Sequence, residues 1–188
     1  MKQLGIYFDQ TRCVGCYTCV VACKDWHDVP AGPASWMKVH GIEEGTYPDL
    51  FAAYLIRPCY HCEDPACVPA CPVGAIVKSS ETGIVTVDRE ACLGLAACGG
   101  ACRESCPYEA PQFGAESEAR MQKCDLCAER WSEGKKPICV EGCPMRALDA
   151  GPLDELMQTY GDKREAAGFV RRPDLKPAIV FKAKNRKT

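Results

Sequence analysis

A chain of 188 residues holds one compact domain or two small ones. It is 47% apolar and carries a formal net charge of -2, ordinary values, but it contains 16 cysteines. No run of about 18 or more apolar residues occurs, which excludes a membrane-spanning helix, and nothing in the charge balance suggests a nucleic-acid binder. The apolar residues are scattered in short runs, so a thin organic core is expected.

The chain opens Met1-Lys2-Gln3-Leu4-Gly5-Ile6-Tyr7-Phe8-Asp9 and runs straight into its first cysteines. That leaves no room for a signal peptide and shows no twin-arginine motif, so the expectation is assembly in the cytoplasm. It would then stay there or leave with a partner that carries a signal. Gly5 to Asp9 reads as a strand leading to Cys13, Cys16, Cys19 and Cys23. Residues 28–50, with Pro30, Gly32, Pro33, Gly41, Gly45 and Pro48, have surface-loop composition: a connector or a docking loop. Tyr54 to Arg57 is a strand before Cys59, Cys62, Cys67 and Cys71. Ala75 to Lys78, a turn at Glu81-Thr82-Gly83, and Ile84 to Asp88 form a predicted hairpin. It delivers the chain to Cys92, Cys98, Cys102 and Cys106, and Cys124, Cys127, Cys139 and Cys143 follow. Leu153 to Tyr160 suggests a short helix and Ala178 to Phe181 a strand. The basic end, Lys182, Lys184, Arg186 and Lys187, reads as a solvated tail.

Four runs of four cysteines point to iron–sulfur chemistry. A cubane needs one thiolate on each of four irons, and bacterial ferredoxins supply three close together and a distant fourth that belongs to the other cluster of a pair. Sixteen thiolates suffice for four [4Fe-4S] clusters. A disulfide scaffold fits poorly, because Cys13, Cys16 and Cys19 are packed too tightly for separate bridges. Zinc fits poorly too, since His27, His40 and His61 continue no zinc-finger spacing. Four oxidised clusters would add about -8 to the net charge, making the assembled protein clearly acidic.

Cys143-Pro144 followed by Ala147-Leu148 repeats Cys71-Pro72 followed by Ala75-Ile76 at the same offset. The expected fold class is therefore α+β: two nested bacterial-ferredoxin-like units with short strands, short helices and long loops, organised around four clusters. One unit comprises residues 1–50 and 115–150 and the other residues 51–114, leaving 151–188 as a C-terminal extension. Proline after Cys71, Cys106 and Cys143 fixes the exit turn of each loop and removes a backbone donor.

Four stretches carry a family resemblance: Tyr60-His61-Cys62-Glu63-Asp64-Pro65-Ala66-Cys67, Cys106-Pro107-Tyr108-Glu109-Ala110-Pro111-Gln112-Phe113, Gln122-Lys123-Cys124-Asp125-Leu126-Cys127, and Glu133 through Pro144. On them the chain resembles the four-cluster iron–sulfur subunits of the dimethyl sulfoxide reductase family of molybdopterin oxidoreductases. The resemblance implies a large catalytic partner with a molybdopterin (molybdenum or tungsten) cofactor, and in some members a quinone-reactive membrane anchor; a soluble electron carrier is another candidate. It also implies a crossed ligation. Cys13, Cys16 and Cys19 join Cys143; Cys124, Cys127 and Cys139 join Cys23. Cys59, Cys62 and Cys67 join Cys106; Cys92, Cys98 and Cys102 join Cys71.

The third run departs from the family pattern. Leu95 stands where the second cysteine is expected, and the stretch before Cys106-Pro107 is longer. Either the loop is rebuilt so that Cys92, Cys98 and Cys102 all bind, or one iron lacks a thiolate and a [3Fe-4S] cluster results. Elsewhere little carries chemistry: no phosphate-binding loop and no catalytic triad are recognisable. The chain alone is expected to catalyse nothing. His61, between two ligands, reads as a structural hydrogen-bonder, and Trp26, Trp36 and Trp131 as packing. Lys24, Arg57, Arg103, Lys123 and Arg146 lie near cysteines and either offset cluster charge or simply sit at the surface. Three functions compete: an electron-transfer subunit, a free-standing polyferredoxin carrier, and a scaffold stapled by clusters.

Overall fold

The structure, a computed structural model, describes residues 2–186. Its central strand is β1 (Leu4–Asp9), buried along its whole length. A strand covered on both faces must be apolar on both, and alternation sorts the two sets. Leu4, Ile6 and Phe8 face the main core, whereas Tyr7 faces a smaller cluster with Leu153, Leu156, Ala178 and Val180. β1 pairs antiparallel with β6 (Leu148–Pro152) and parallel with β7 (Ile179–Lys182). Two hairpins complete the strands: β2 (Val39–Glu44) with β3 (Phe51–Ile56), and β4 (Ile76–Lys78) with β5 (Val85–Val87).

The helices are α1 (Thr18–Trp26), α2 (Leu95–Cys98), α3 (Ala101–Ser105), α4 (Ala128–Ser132), α5 (Ile138–Glu141) and α6 (Leu153–Tyr160). Only α1 and α6 exceed about one and a half turns; α2 to α5 are pieces of cysteine loops. α6 follows Pro152, carries Asp154 and Glu155 in its first turn and ends at Gly161, so its start, charge and stop agree with the sequence. Its Tyr160 ring stacks on Tyr7 at 3.7 Å.

Three expectations are corrected. Residues 28–50 are not all loop, because β2 lies within them; its exposed, Gly41-containing sequence is held by pairing with the apolar β3 rather than by its own pattern. The basic end is not simply a solvated tail. Lys182 closes β7 and pairs with buried Asp9 at 3.3 Å, and Arg186 donates to the Asp49 carbonyl; Lys187 lies outside the described residues. The core is also not thin. Leu4, Ile6, Phe8, Met37, Leu55, Ile56, Ile179 and Phe181 form one body with Cys19, Cys23, Cys139 and Cys143. Scattered runs build it because residues from both chain ends meet. Full burial of each large side chain contributes on the order of 2 kcal/mol.

Candidate metal centres

All sixteen cysteines are free thiols, and they gather around four separate cavities. Cys13, Cys16 and Cys19, from the loop after β1 and the start of α1, meet Cys143 from beyond α5, walled by Phe8, Val39, Ile56 and Leu148. Cys124, Cys127 and Cys139 meet Cys23 from α1, walled by Ile6, Met37, Leu126 and Val140. Cys59, Cys62 and Cys67 meet Cys106 beside Tyr60, Val85, Tyr108 and Lys123. Cys92, Cys98 and Cys102 meet Cys71 beside Ile76, Val87, Phe113 and Met121. The four groupings are the four expected sets.

The irregular third run is a rebuilt loop. Cys98 ends α2 and Cys102 lies in α3, with left-handed Gly99 and Gly100 between them (φ 67° and 73°). This double turn brings both thiols to the Cys71 and Cys92 cavity. Leu95, at the position where a cysteine was expected, packs with the apolar residues around Phe113 and Met121.

Single turns of chain connect the cavities. α1 carries Cys19 for the first and Cys23 for the second, one turn apart. α5 presents Cys139 to the second, and Cys143 follows for the first. Cys67 and Cys71 divide between the third and fourth, as do Cys106 and Cys102. Between second and third lies Lys123, which lines the third and precedes Cys124 of the second.

Hydrogen bonds converge on the sulfurs. Ala75 N–H points to Cys71 Sγ at 3.3 Å and Ala147 N–H to Cys143 Sγ at 3.4 Å, the same geometry at the two repeated Cys-Pro sites. Met121 N–H serves Cys92 and Leu126 N–H serves Cys124, both at 3.4 Å. The second set also faces two imidazoles: His27 Nε2 at 3.3 Å from Cys127 and His61 Nε2 at 3.9 Å from Cys124. His61 is the structural hydrogen-bonder expected, since its Nδ1 accepts from Val85 N–H at 3.0 Å. Burial, with Lys123 and Lys78 nearby, holds its pKa well below the ordinary value, so it is neutral. The contact of His27 was not legible, because Cys127 is distant in sequence and no local pattern marks the pair. The tryptophans pack and hydrogen-bond: Trp26 to Glu129, Trp36 to Gln122, Trp131 to the Leu126 carbonyl.

The donor set fits iron–sulfur clusters. Burial pushes the thiols of Cys19, Cys23, Cys67 and Cys127 up to about 12 and that of Cys102 to about 11; Cys124 and Cys139 rise well above the ordinary range. Thiolates at such positions require a cation to compensate them. No carboxylate lines any of the four cavities, and the lining is almost wholly apolar apart from the thiols, His27 and Lys123. The loops also pass through left-handed non-glycine residues, Tyr17, His61, Leu126 and Cys127. Each costs roughly 1–3 kcal/mol, an expense that metal–thiolate bonds offset.

The chain matches one 4Fe-4S dicluster domain family over residues 50–153 and a second over residues 12–76. It is 45% identical over 191 residues to an iron–sulfur relative in Escherichia coli strain K12, a chain of the anaerobic dimethyl sulfoxide reductase, covering 96% of this protein and 88% of that one. The chain belongs to the dimethyl sulfoxide reductase family of iron–sulfur subunits. A subunit of the sulfite dehydrogenase from Allochromatium vinosum is 35% identical over 201 residues, covering 95% and 82%. Protein NrfC of Escherichia coli strain K12 is 34% identical over 154 residues, 81% of this chain and 67% of that one. As a member of this family with two dicluster domains and sixteen cysteines, the chain carries four [4Fe-4S] clusters.

Proposed function

We propose that this chain relays electrons between a large molybdopterin catalytic subunit, with molybdenum or tungsten, and an outside donor or acceptor. The single observation that carries the reading is the distribution of sixteen thiols, four to each of four cavities that consecutive turns of chain link in a row. The similarity to subunits of dimethyl sulfoxide reductase and sulfite dehydrogenase supports the partnership; nothing favours a free polyferredoxin. When bound, each cluster supplies one-electron transfer.

The ligand sets are those gathered at the cavities: Cys13, Cys16, Cys19 and Cys143 for the first; Cys23, Cys124, Cys127 and Cys139 for the second; Cys59, Cys62, Cys67 and Cys106 for the third; Cys71, Cys92, Cys98 and Cys102 for the fourth. The first two belong to a unit of residues 1–50 and 115–150, the last two to a nested unit of residues 51–114, with 151–188 as an extension that closes the sheet. The protein's own part is to hold the thiols, keep water out and aim N–H groups at sulfur. No side-chain base or open metal site accompanies the thiols, so the chain alone turns over no substrate.

The ends of the row are its openings. Exposed Val14, Tyr17 and Met145 line the first cavity, and exposed Val73 and Leu93 line the fourth. The second and third cavities are lined by no exposed large apolar residue. Exposed apolar side chains beside a redox centre suit subunit contacts, so the catalytic subunit and the outside partner take opposite ends. No helix among the described residues is long and apolar enough to cross a membrane, so a quinone-reactive anchor would be a separate chain. The complex stays in the cytoplasm or is exported with its catalytic partner.

Anaerobic affinity purification of the tagged chain from its native host tests this. A large subunit carrying molybdopterin should co-purify, and the captured complex should re-oxidise the reduced relay with substrate or reduce it. A chain that purifies alone with four clusters and serves unrelated enzymes would overturn the reading.

A further inference from the structure

Of the five basic residues near cysteines, Lys24 and Arg57 are half-buried and Arg103 and Arg146 are exposed. Lys123 alone is enclosed, at 2% exposure. Lysine is almost never fully buried without a partner, because an ammonium loses its hydration there. Lys123 Nζ donates to two carbonyls, of Val85 and of Cys124 (2.9 Å for the latter). Among the described residues it forms no ion pair with a carboxylate. By contrast half-buried Lys78, also close to the third set, has the charges of Glu63 and Asp64 near it.

The ammonium's position is fixed from two sides. Val85 in β5 accepts from Lys123 through its carbonyl and donates through its N–H to His61 Nδ1. His61 therefore carries its proton on Nε2, facing Cys124 of the second set. Lys123 itself lines the third cavity with Cys59, Cys62, Cys67 and Cys106. One strand residue thus aligns an N–H donor toward the second set and a positive charge toward the third.

We infer that Lys123 is a built-in counter-ion of the third cluster: its buried charge, anchored by Val85, raises the reduction potential of that cluster above what its four thiolates alone would set. This rests on the third cysteine set holding a cluster. A fixed positive charge in a poorly solvated wall favours the more negative, reduced state. The effect is selective, because the second set meets the neutral imidazole of His61 instead.

The test is a redox titration of the assembled complex, followed by electron paramagnetic resonance, with Lys123→Met, Lys123→Gln and Lys123→Arg. A Cys106→Ser variant first marks which signal belongs to the third set; if it alters none, the ligand assignment fails and the role of Lys123 is not what has been refuted. Lys123→Met and Lys123→Gln should lower the potential of that one cluster, or lose that cluster alone. Lys123→Arg should retain the cluster with its potential near the wild-type value. Gln keeps a donor for the Val85 carbonyl but no charge, so an unchanged potential in the Met or Gln variant overturns the inference. So does the same shift or the same loss in all three variants, which would indicate a packing role only.

Discussion

His27 Nε2 lies 3.3 Å from Cys127 Sγ, joining the C-terminal end of α1 to the loop that begins α4. A metal-bound thiolate only accepts, so this contact is favourable with the ring proton on Nε2. The ring also packs against Trp36, centroids 4.6 Å apart. His27→Phe keeps that packing and removes the donor. A hydrogen bond to ligand sulfur stabilises the reduced cluster, so the variant should hold four clusters with the potential of the second one lowered. Redox titration against wild type checks this; unchanged potentials would show that the contact is packing alone.

Cys143 follows α5, which carries Cys139, yet the two thiols face different cavities. Cys143→Ser should therefore damage the cluster of Cys13, Cys16 and Cys19, and Cys139→Ser that of Cys124 and Cys127. Comparing the paramagnetic signals of the two variants decides it. The reverse pattern of losses would reject the crossed ligation.

Gly100, between the helical turns that carry Cys98 and Cys102, has φ 73°, and a Cβ there would stand 2.8 Å from Leu95 Cδ1. Gly100→Ala meets both a left-handed backbone and a clash, at a cost of about 1–3 kcal/mol. Wild type should hold a four-iron cluster at Cys71, Cys92, Cys98 and Cys102, whereas Gly100→Ala should lose or convert that cluster while keeping the other three. Iron content and the oxidised-state resonance signal report this. A strong three-iron signal in carefully isolated wild type would instead return Leu95 to the status of a missing ligand.

Much of this was legible because ligand spacing is a local property. The four cysteine sets, the turn-bounded hairpin and the helix at Leu153–Tyr160 each rest on a short stretch of sequence. β2 was hidden because its order comes from β3, not from its own Gly41 and acidic residues. The tail became a strand because β1 offered it an edge. Lys123 and its exposed neighbours have the same kind of sequence context; only the packing of β5 against it separates an interior charge from a surface one. His27 is likewise defined by a partner loop that arrives from far along the chain.

Removing iron should unfold more than the cysteine loops. Cys19, Cys23, Cys139 and Cys143 belong to the same buried body as Ile6, Phe8, Ile179 and Phe181, so the central sheet and the first two cavities share their packing. Without metal, Tyr17, His61, Leu126 and Cys127 keep their left-handed strain with no bonds to offset it. Four such residues at roughly 1–3 kcal/mol each rival the whole stability of a typical domain, about 5–15 kcal/mol. Anaerobic chelation of the purified subunit should abolish the cluster absorbance and the β1, β6 and β7 sheet signal together. Circular dichroism and amide hydrogen exchange followed over the same titration measure both. Retention of slowly exchanging β1 amides after all iron is gone would mean that the sheet folds independently, contrary to the coupling argued from the shared core.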